Sequence, residues 1–190
     1  MPKPFNNKII VDAGHGGFDP GAVNVVLSLK EAELTLRYAD VLNIMLSVNY
    51  RSVMTRNTDT YVSLKDRVAL ANKYHAGLFI SVHLNSAENP KAKGFEIWTS
   101  RGDTVSDMVA TSVFHSIGDT FPKLKRREDW SDGDPDKEMN YYVLRATKMP
   151  AILIELGFIC NDKEAGWLSS PDVIGAYSSA IYHGIKNVWN

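Results

Sequence analysis

The 190-residue chain has one cysteine, Cys160, so no intramolecular disulfide can form and stability must come from packing. That cysteine lies in the apolar context Gly-Phe-Ile-Cys-Asn, where a small core residue is expected rather than a nucleophile. Neither sign of charge is in excess. Lys and Arg number 21 against 22 Asp and Glu, for a net charge of -1, which excludes a global positive field that would draw nucleic acid or anionic lipid. No apolar run approaches the roughly 18 residues of a membrane-spanning helix, so no membrane insertion is expected. The opening Met-Pro-Lys-Pro-Phe-Asn-Asn-Lys has no apolar core, and no signal peptide is read there. Internal repeats and low-complexity linkers are also missing. Hydrophobic residues make up 44% and charged residues 23%, which suits one domain of ordinary size with a real core, residues 1–190.

What is present is organised around Lys-Ile-Ile-Val-Asp-Ala-Gly-His-Gly-Gly, residues 8–17. The apolar, β-branched part reads as a buried strand. Gly14, Gly16 and Gly17 then let the backbone turn sharply, so His15 is held on a tight loop at the carboxyl end of a central strand. Further strands are expected over Arg51–Thr55, Leu78–Asn85, Gly94–Thr99 (which reads as alternating) and Ala151–Leu156. Helices are expected over Glu31–Asn49, residues 64–75, Asp103–Phe121 and the segment opened by Ser170 as cap with Pro171 at the first position. The inner face of the second is expected to be Leu64, Val68, Ala71 and Tyr74, behind a Ser63/Asp66 capping box. Pro122–Asn140 carries both charges without a period and reads as an exposed loop. Strands alternating with helices predict an α/β fold: an open, mostly parallel twisted sheet flanked by helices on both faces.

Three apolar runs end in a titratable residue: His15, His83 and Glu155. In a parallel sheet the carboxyl ends of strands share one edge, where ligands bind, so the three should converge. An ionised glutamate beside four apolar residues is costly to bury unless a metal ion, or a water that needs a base, compensates it. Two histidines with one carboxylate form a common catalytic zinc set with a position left for water. Glu31 and Glu155 are both on offer, one as ligand and one as general base, in either order. Glu31 also stands in the first turn of a helix, where a carboxylate favours the dipole. His75 is expected to cap a helix end, and His115 and His183 to serve surface or packing.

Val-Asp-Ala-Gly-His-Gly-Gly-Phe-Asp-Pro-Gly, Leu-Lys-Glu, Thr-Arg-Asn-Thr-Asp, Ser-Val-His-Leu-Asn, Gly-Phe-Glu and Ile-Leu-Ile-Glu-Leu-Gly-Phe occur in this order. The ordered set resembles the family-3 type of zinc-dependent N-acetylmuramoyl-L-alanine amidases, over nearly the whole chain. The resemblance implies that His15, Glu31 and His83 hold one zinc ion, with Glu33 fitting the pattern less well. It implies that Glu155 is the catalytic glutamate and that Asn85 lies near substrate. It also implies hydrolysis of the amide between N-acetylmuramic acid and L-alanine of the peptidoglycan stem, by a zinc-activated water. Some such enzymes carry a long helical insertion that covers the zinc. Pro122–Asn140 is too short for that plug, so a monomer that needs no activator protein is expected, acting on the cell wall as a phage lysin or as a domain of a secreted or sporulation autolysin. Two other readings compete: a zinc peptidase that cuts within peptides, and a wall-binding module without catalysis. The filled ligand and glutamate positions disfavour the second.

Overall fold

The structure, a computed structural model, describes residues 7–102 and 104–189. Met1–Asn6, on which the signal-peptide reading mainly rests, and Asp103, the expected start of the third helix, lie outside the described residues. In chain order the described elements are β1 (Lys8–Ala13), β2 (Val23–Asn24), β3 (Leu29–Lys30), α1 (Glu31–Ser47), β4 (Arg51–Met54), α2 (Leu64–Lys73), β5 (Leu78–Asn85), β6 (Glu96–Thr99), α3 (Val105–Thr120), β7 (Lys137–Glu138), α4 (Tyr142–Ala146), β8 (Ala151–Phe158), α5 (Asp162–Leu168) and α6 (Pro171–Val188). The main sheet has the order β4-β1-β5-β8-β6-β7. Its first four strands are mutually parallel, and β6 runs antiparallel to β8. This is the mostly parallel α/β sheet expected.

Alternation along the central strands decides which layer each residue meets. Ile9, Val11, Leu78, Ile80, Ile152 and Ile154 pack with α1, α3 and α6 in the larger core. Ile10, Phe79, Ala151 and Leu153 pack with α2 and α4 in the smaller one. Both faces are covered, so the strands read as unbroken apolar runs. Continuing the same parity, Asp12, Ser81, His83 and Glu155 fall on the side of the short layer. Because α2 and α4 are brief, that side is left open at the carboxyl ends of the strands, and the cleft forms there.

Several expectations need correction. In α2, Leu64 and Tyr74 are exposed, and the buried residues are Arg67, Val68 and Ala71. Arg67 takes an inner place because its guanidinium serves the loop after β1. The strand over Gly94–Thr99 begins at Glu96 and does not alternate in burial, since it lies between β8 and β7 with α3 packed on it. Residues 122–140 are not wholly an exposed loop: Asp136 is buried and Lys137–Glu138 forms the edge strand. Ser170 occupies the cap position of α6 without a side-chain cap bond, although Pro171 opens the helix as expected. Cys160 is half-buried rather than in the core, its Sγ accepting from the Ala87 amide at 3.3 Å. The β2–β3 hairpin and the short helices α4 and α5 escaped prediction because each spans too few residues to repeat its period more than about twice.

Candidate active site

The loop after β1 carries its carbonyls inward, and two buried arginines satisfy them. Arg56 donates to the carbonyls of Ala13 (3.0 Å), Gly14 (2.8 Å) and Ala32 (2.7 Å). Arg67 donates to the carbonyls of Ala13 (2.6 Å) and His15 (2.7 Å) and pairs with the buried Asp12 at 2.6 Å. His15 is thereby held at φ 61°, an uncommon left-handed conformation for a residue with a side chain. Gly14 is dictated by packing: a Cβ there would lie 2.3 Å from Cε1 of His83. Gly21, at φ 63°, is required by both space and backbone, since its Cβ would lie 2.7 Å from Glu31 Oε2 and from His15 Cδ2.

The structure brings His15, Glu31 and His83 together. Glu31 Oε1 lies 3.1 Å from His15 Nε2 and 3.0 Å from His83 Nδ1. One ligand atom from each residue falls within 4.8 Å of the others, and no second group of this kind occurs among the described residues. Glu31 is buried and anchored, Oε1 accepting from the Leu84 amide at 3.0 Å and Oε2 from the Ala22 amide at 2.9 Å. Its position at the head of α1 therefore serves the cluster, and is more than a favourable dipole contact. Asp19 Oδ2 accepts from His15 Nδ1 at 2.9 Å, which leaves Nε2 to face the cluster. This set fits a tetrahedral cation, whose ligands at about 2.0–2.1 Å would stand roughly 3.4 Å apart. Glu33 is turned away and pairs with Lys30 at 3.1 Å. His115 and His183 are exposed on their helices, as expected. His75 follows the end of α2 at φ 50°, so it ends that helix through its backbone.

Glu155 stands beside His83 in the register of β5 and β8, with Glu96 on its other side in β6. Its Oε2 is buried without a hydrogen-bond partner. Burial pushes its pKa up to about 7; His83 opposes this, and Glu31 and Glu96 add to it. Burial also works against a charged His15, but the hydrogen bonds from its ring to Glu31 and Asp19 prevail and hold it up at about 9. His83 is raised for the same reason, burial again opposing and Glu31 prevailing. Burial would raise Glu31, yet the two histidines hold it well below the usual carboxylate range. The site thus separates one firmly ionised carboxylate from one poised near neutrality.

These groups line a cleft of about 520 Å³ with Asp19, Tyr61, Leu64, Asn85 and Tyr141. No residue of 122–140 is among its lining. Asn85 Nδ2 donates to Glu96 Oε1 at 2.6 Å, and Glu96 is buried under Arg127 (2.7 Å) and Lys137 (2.8 Å). Sequence reading missed Asp19, Arg56, Arg67 and this Glu96 group. For Asp19 a signal existed, since an Asp four residues after a loop histidine can reach its ring. Glu96 stood in the Gly-Phe-Glu motif, but the motif named no role for it, because its partners are distant in sequence.

The sequence model of the family described as N-acetylmuramoyl-L-alanine amidase matches residues 9–187. The chain belongs to the N-acetylmuramoyl-L-alanine amidase family. As a member it is a hydrolase of the amide joining N-acetylmuramic acid to L-alanine in peptidoglycan. It is 34% identical over 186 residues to a sporulation-specific N-acetylmuramoyl-L-alanine amidase of Bacillus subtilis (strain 168), covering 96% of this chain and 68% of that one. The crystal structure of an N-acetylmuramoyl-L-alanine amidase from Clostridium difficile 630 superposes with a TM-score of 0.88 at 33% identity, over 96% of both chains. The CwlD amidase of Clostridioides difficile, solved in complex with the GerS lipoprotein, superposes with a TM-score of 0.86 at 27% identity, over 96% of this chain and 98% of that one.

Proposed function

We propose that His15 Nε2, a Glu31 oxygen and His83 Nδ1 hold a single zinc ion, and that Glu155 is the general base for hydrolysis of the muramoyl-L-alanine amide. The observation that carries this reading is the pairing of a three-donor cluster with an unpartnered, buried carboxylate one strand away. Zinc bound there supplies a Lewis acid and a water of lowered pKa. Asp19 keeps Nε2 of His15 free, and the two amides on Glu31 fix its carboxylate, so the ligands need little rearrangement. Glu155, poised near pH 7, takes a proton from the attacking water and gives it to the leaving nitrogen of L-alanine. Asn85, tied to Glu96 and lining the cleft, contacts the substrate.

The domain acts as a monomer on the bacterial cell wall and needs no activator, a reading supported by a cleft free of residues 122–140. The lipoprotein complex of the clostridial relative makes partner dependence the alternative to exclude. The test is digestion of purified peptidoglycan by the chain alone with one equivalent of zinc. New L-alanine amino termini are expected, lost on chelation and regained with zinc. New termini at any other residue would mean a peptidase, and cleavage only with an added partner would overturn the reading that no activator is needed.

A further inference from the structure

The cleft is chemically lopsided across the sheet. Tyr61, between β4 and α2, lines one end of the cleft with Phe18 stacked on it just outside; the histidine–glutamate cluster and Asn85 on β5 come next, then Glu155 on β8, and beyond the lining residues lie Glu96 on β6 with Arg127 and Lys137. One flank carries the stacked Phe18–Tyr61 pair, and the charged Glu96 group lies behind the other. The aromatic flank is also a built feature. The rings of Phe18 and Tyr61 stack with centroids 4.1 Å apart and 27° between planes, while Phe18 is 80% exposed. Gly16 and Gly17, at φ 125° and 63°, lay the loop flat against residues 59–61. A Cβ on Gly16 would lie 2.3 Å from the Thr60 carbonyl oxygen, and one on Gly17 would lie 2.6 Å from the Tyr61 amide. The Gly17 amide donates to Asp59 Oδ1 at 2.8 Å. The ring of Phe18 is therefore presented to solvent on a fixed support.

The placement of Glu155 orients the substrate, an argument that rests on the reading of Glu155 given above. A group that hands a proton to the leaving nitrogen must sit beside it, so the stem peptide departs toward β8, β6 and β7. The lactyl carbonyl, and the sugar that bears it, then lie across the histidine–glutamate cluster, toward β1 and β4. We propose that the Phe18–Tyr61 pair is a carbohydrate platform, binding the apolar face of a pyranose ring of the glycan strand next to the scissile amide. The two rings are already stacked without ligand, so little ordering cost is incurred when the sugar arrives.

Two measurements test the platform. In the first, tetra-N-acetylchitotetraose is titrated into the intact chain and followed by NMR. Shifts are expected at the rings of Phe18 and Tyr61, and Phe18→Ala should weaken binding roughly three- to tenfold, the range for one aromatic contact. In the second, kcat and KM are measured on muramoyl peptides that carry one stem but one, two or four sugars. Phe18→Ala should raise KM on the tetrasaccharide by a similar factor and narrow the gap between long and short glycans, and Phe18→Trp should restore it. A titration that leaves both rings unmoved overturns the platform. So does a Phe18→Ala defect that follows stem length instead of sugar number, which would make the pair a peptide site. A wild-type chain that cleaves none of these substrates with zinc would overturn the amidase mechanism, and the titration would still decide the platform.

Discussion

Glu155→Gln should abolish hydrolysis and, at the same time, stabilise the metal-free fold above neutral pH. The carboxylate is mostly buried with one unpartnered oxygen, and its pKa rises from 4.5 to about 7. That difference, 7 minus 4.5 or about 2.5 units, amounts to about 3 kcal/mol at 1.36 kcal/mol per unit. Because the folded pKa lies above the unfolded one, the native state binds the proton more tightly. The penalty is absent below pH 4.5, grows between pH 4.5 and 7, and is complete above. Glutamine keeps the shape and never ionises, so the variant should gain up to about 3 kcal/mol at pH 8 and little at pH 4. Zinc, by favouring the ionised carboxylate, should shrink the gain. Urea unfolding of chelator-treated protein at the two pH values measures the stability, and release of L-alanine termini measures the activity. Loss of a positioned general base is expected to cost about 10²–10⁴-fold in rate. Near-normal turnover would refute the general-base role. Lower stability of the variant at pH 8 would refute the electrostatic account, since simple damage to the fold would lower both readouts.

His15→Ala, Glu31→Ala and His83→Ala should each bring zinc below one equivalent by elemental analysis. Glu33→Ala should retain it, because Glu33 is half exposed and paired with Lys30; the reverse pattern would move the ligand assignment. Gly14→Ala should push the His83 ring aside, its Cβ lying 2.3 Å from Cε1, and weaken zinc about 10–100-fold in chelator competition with the fold intact by circular dichroism. Zinc must displace protons from His15, held near pKa 9, and from His83, so uptake at pH 7 should release protons. Affinity should climb as pH rises toward 9, and calorimetric heats that do not depend on the buffer would contradict this. Replacing Lys125–Lys137 by a glycine-serine link removes Arg127 and Lys137 from Glu96 and should lower activity on wall fragments; a gain would mean that the stretch inhibits.

The sequence by itself determined the sheet and the meeting of His15, His83 and Glu155. Apolar runs, helix spacing and glycine breaks are local signals, and parallel strands put their carboxyl ends on one edge whatever packs around them. The resemblance named Glu31 as the ligand, but residue spacing alone left Glu31 and Glu155 exchangeable. Tertiary structure gives the two different surroundings: Glu31 turns in to two histidines and two amides, one of them on a strand more than fifty residues away, while Glu155 stays partly unpartnered beside His83. Burial of Arg67 on a face read as apolar, the clasp of Glu96 by Arg127 and Lys137, the burial of Asp136 and the stacking of Phe18 on Tyr61 were likewise decided in three dimensions. Each is a polar or aromatic side chain whose partner lies far off in sequence. Hydrophobic period reports which side of an element faces the core, but it carries no information about which buried polar group waits there.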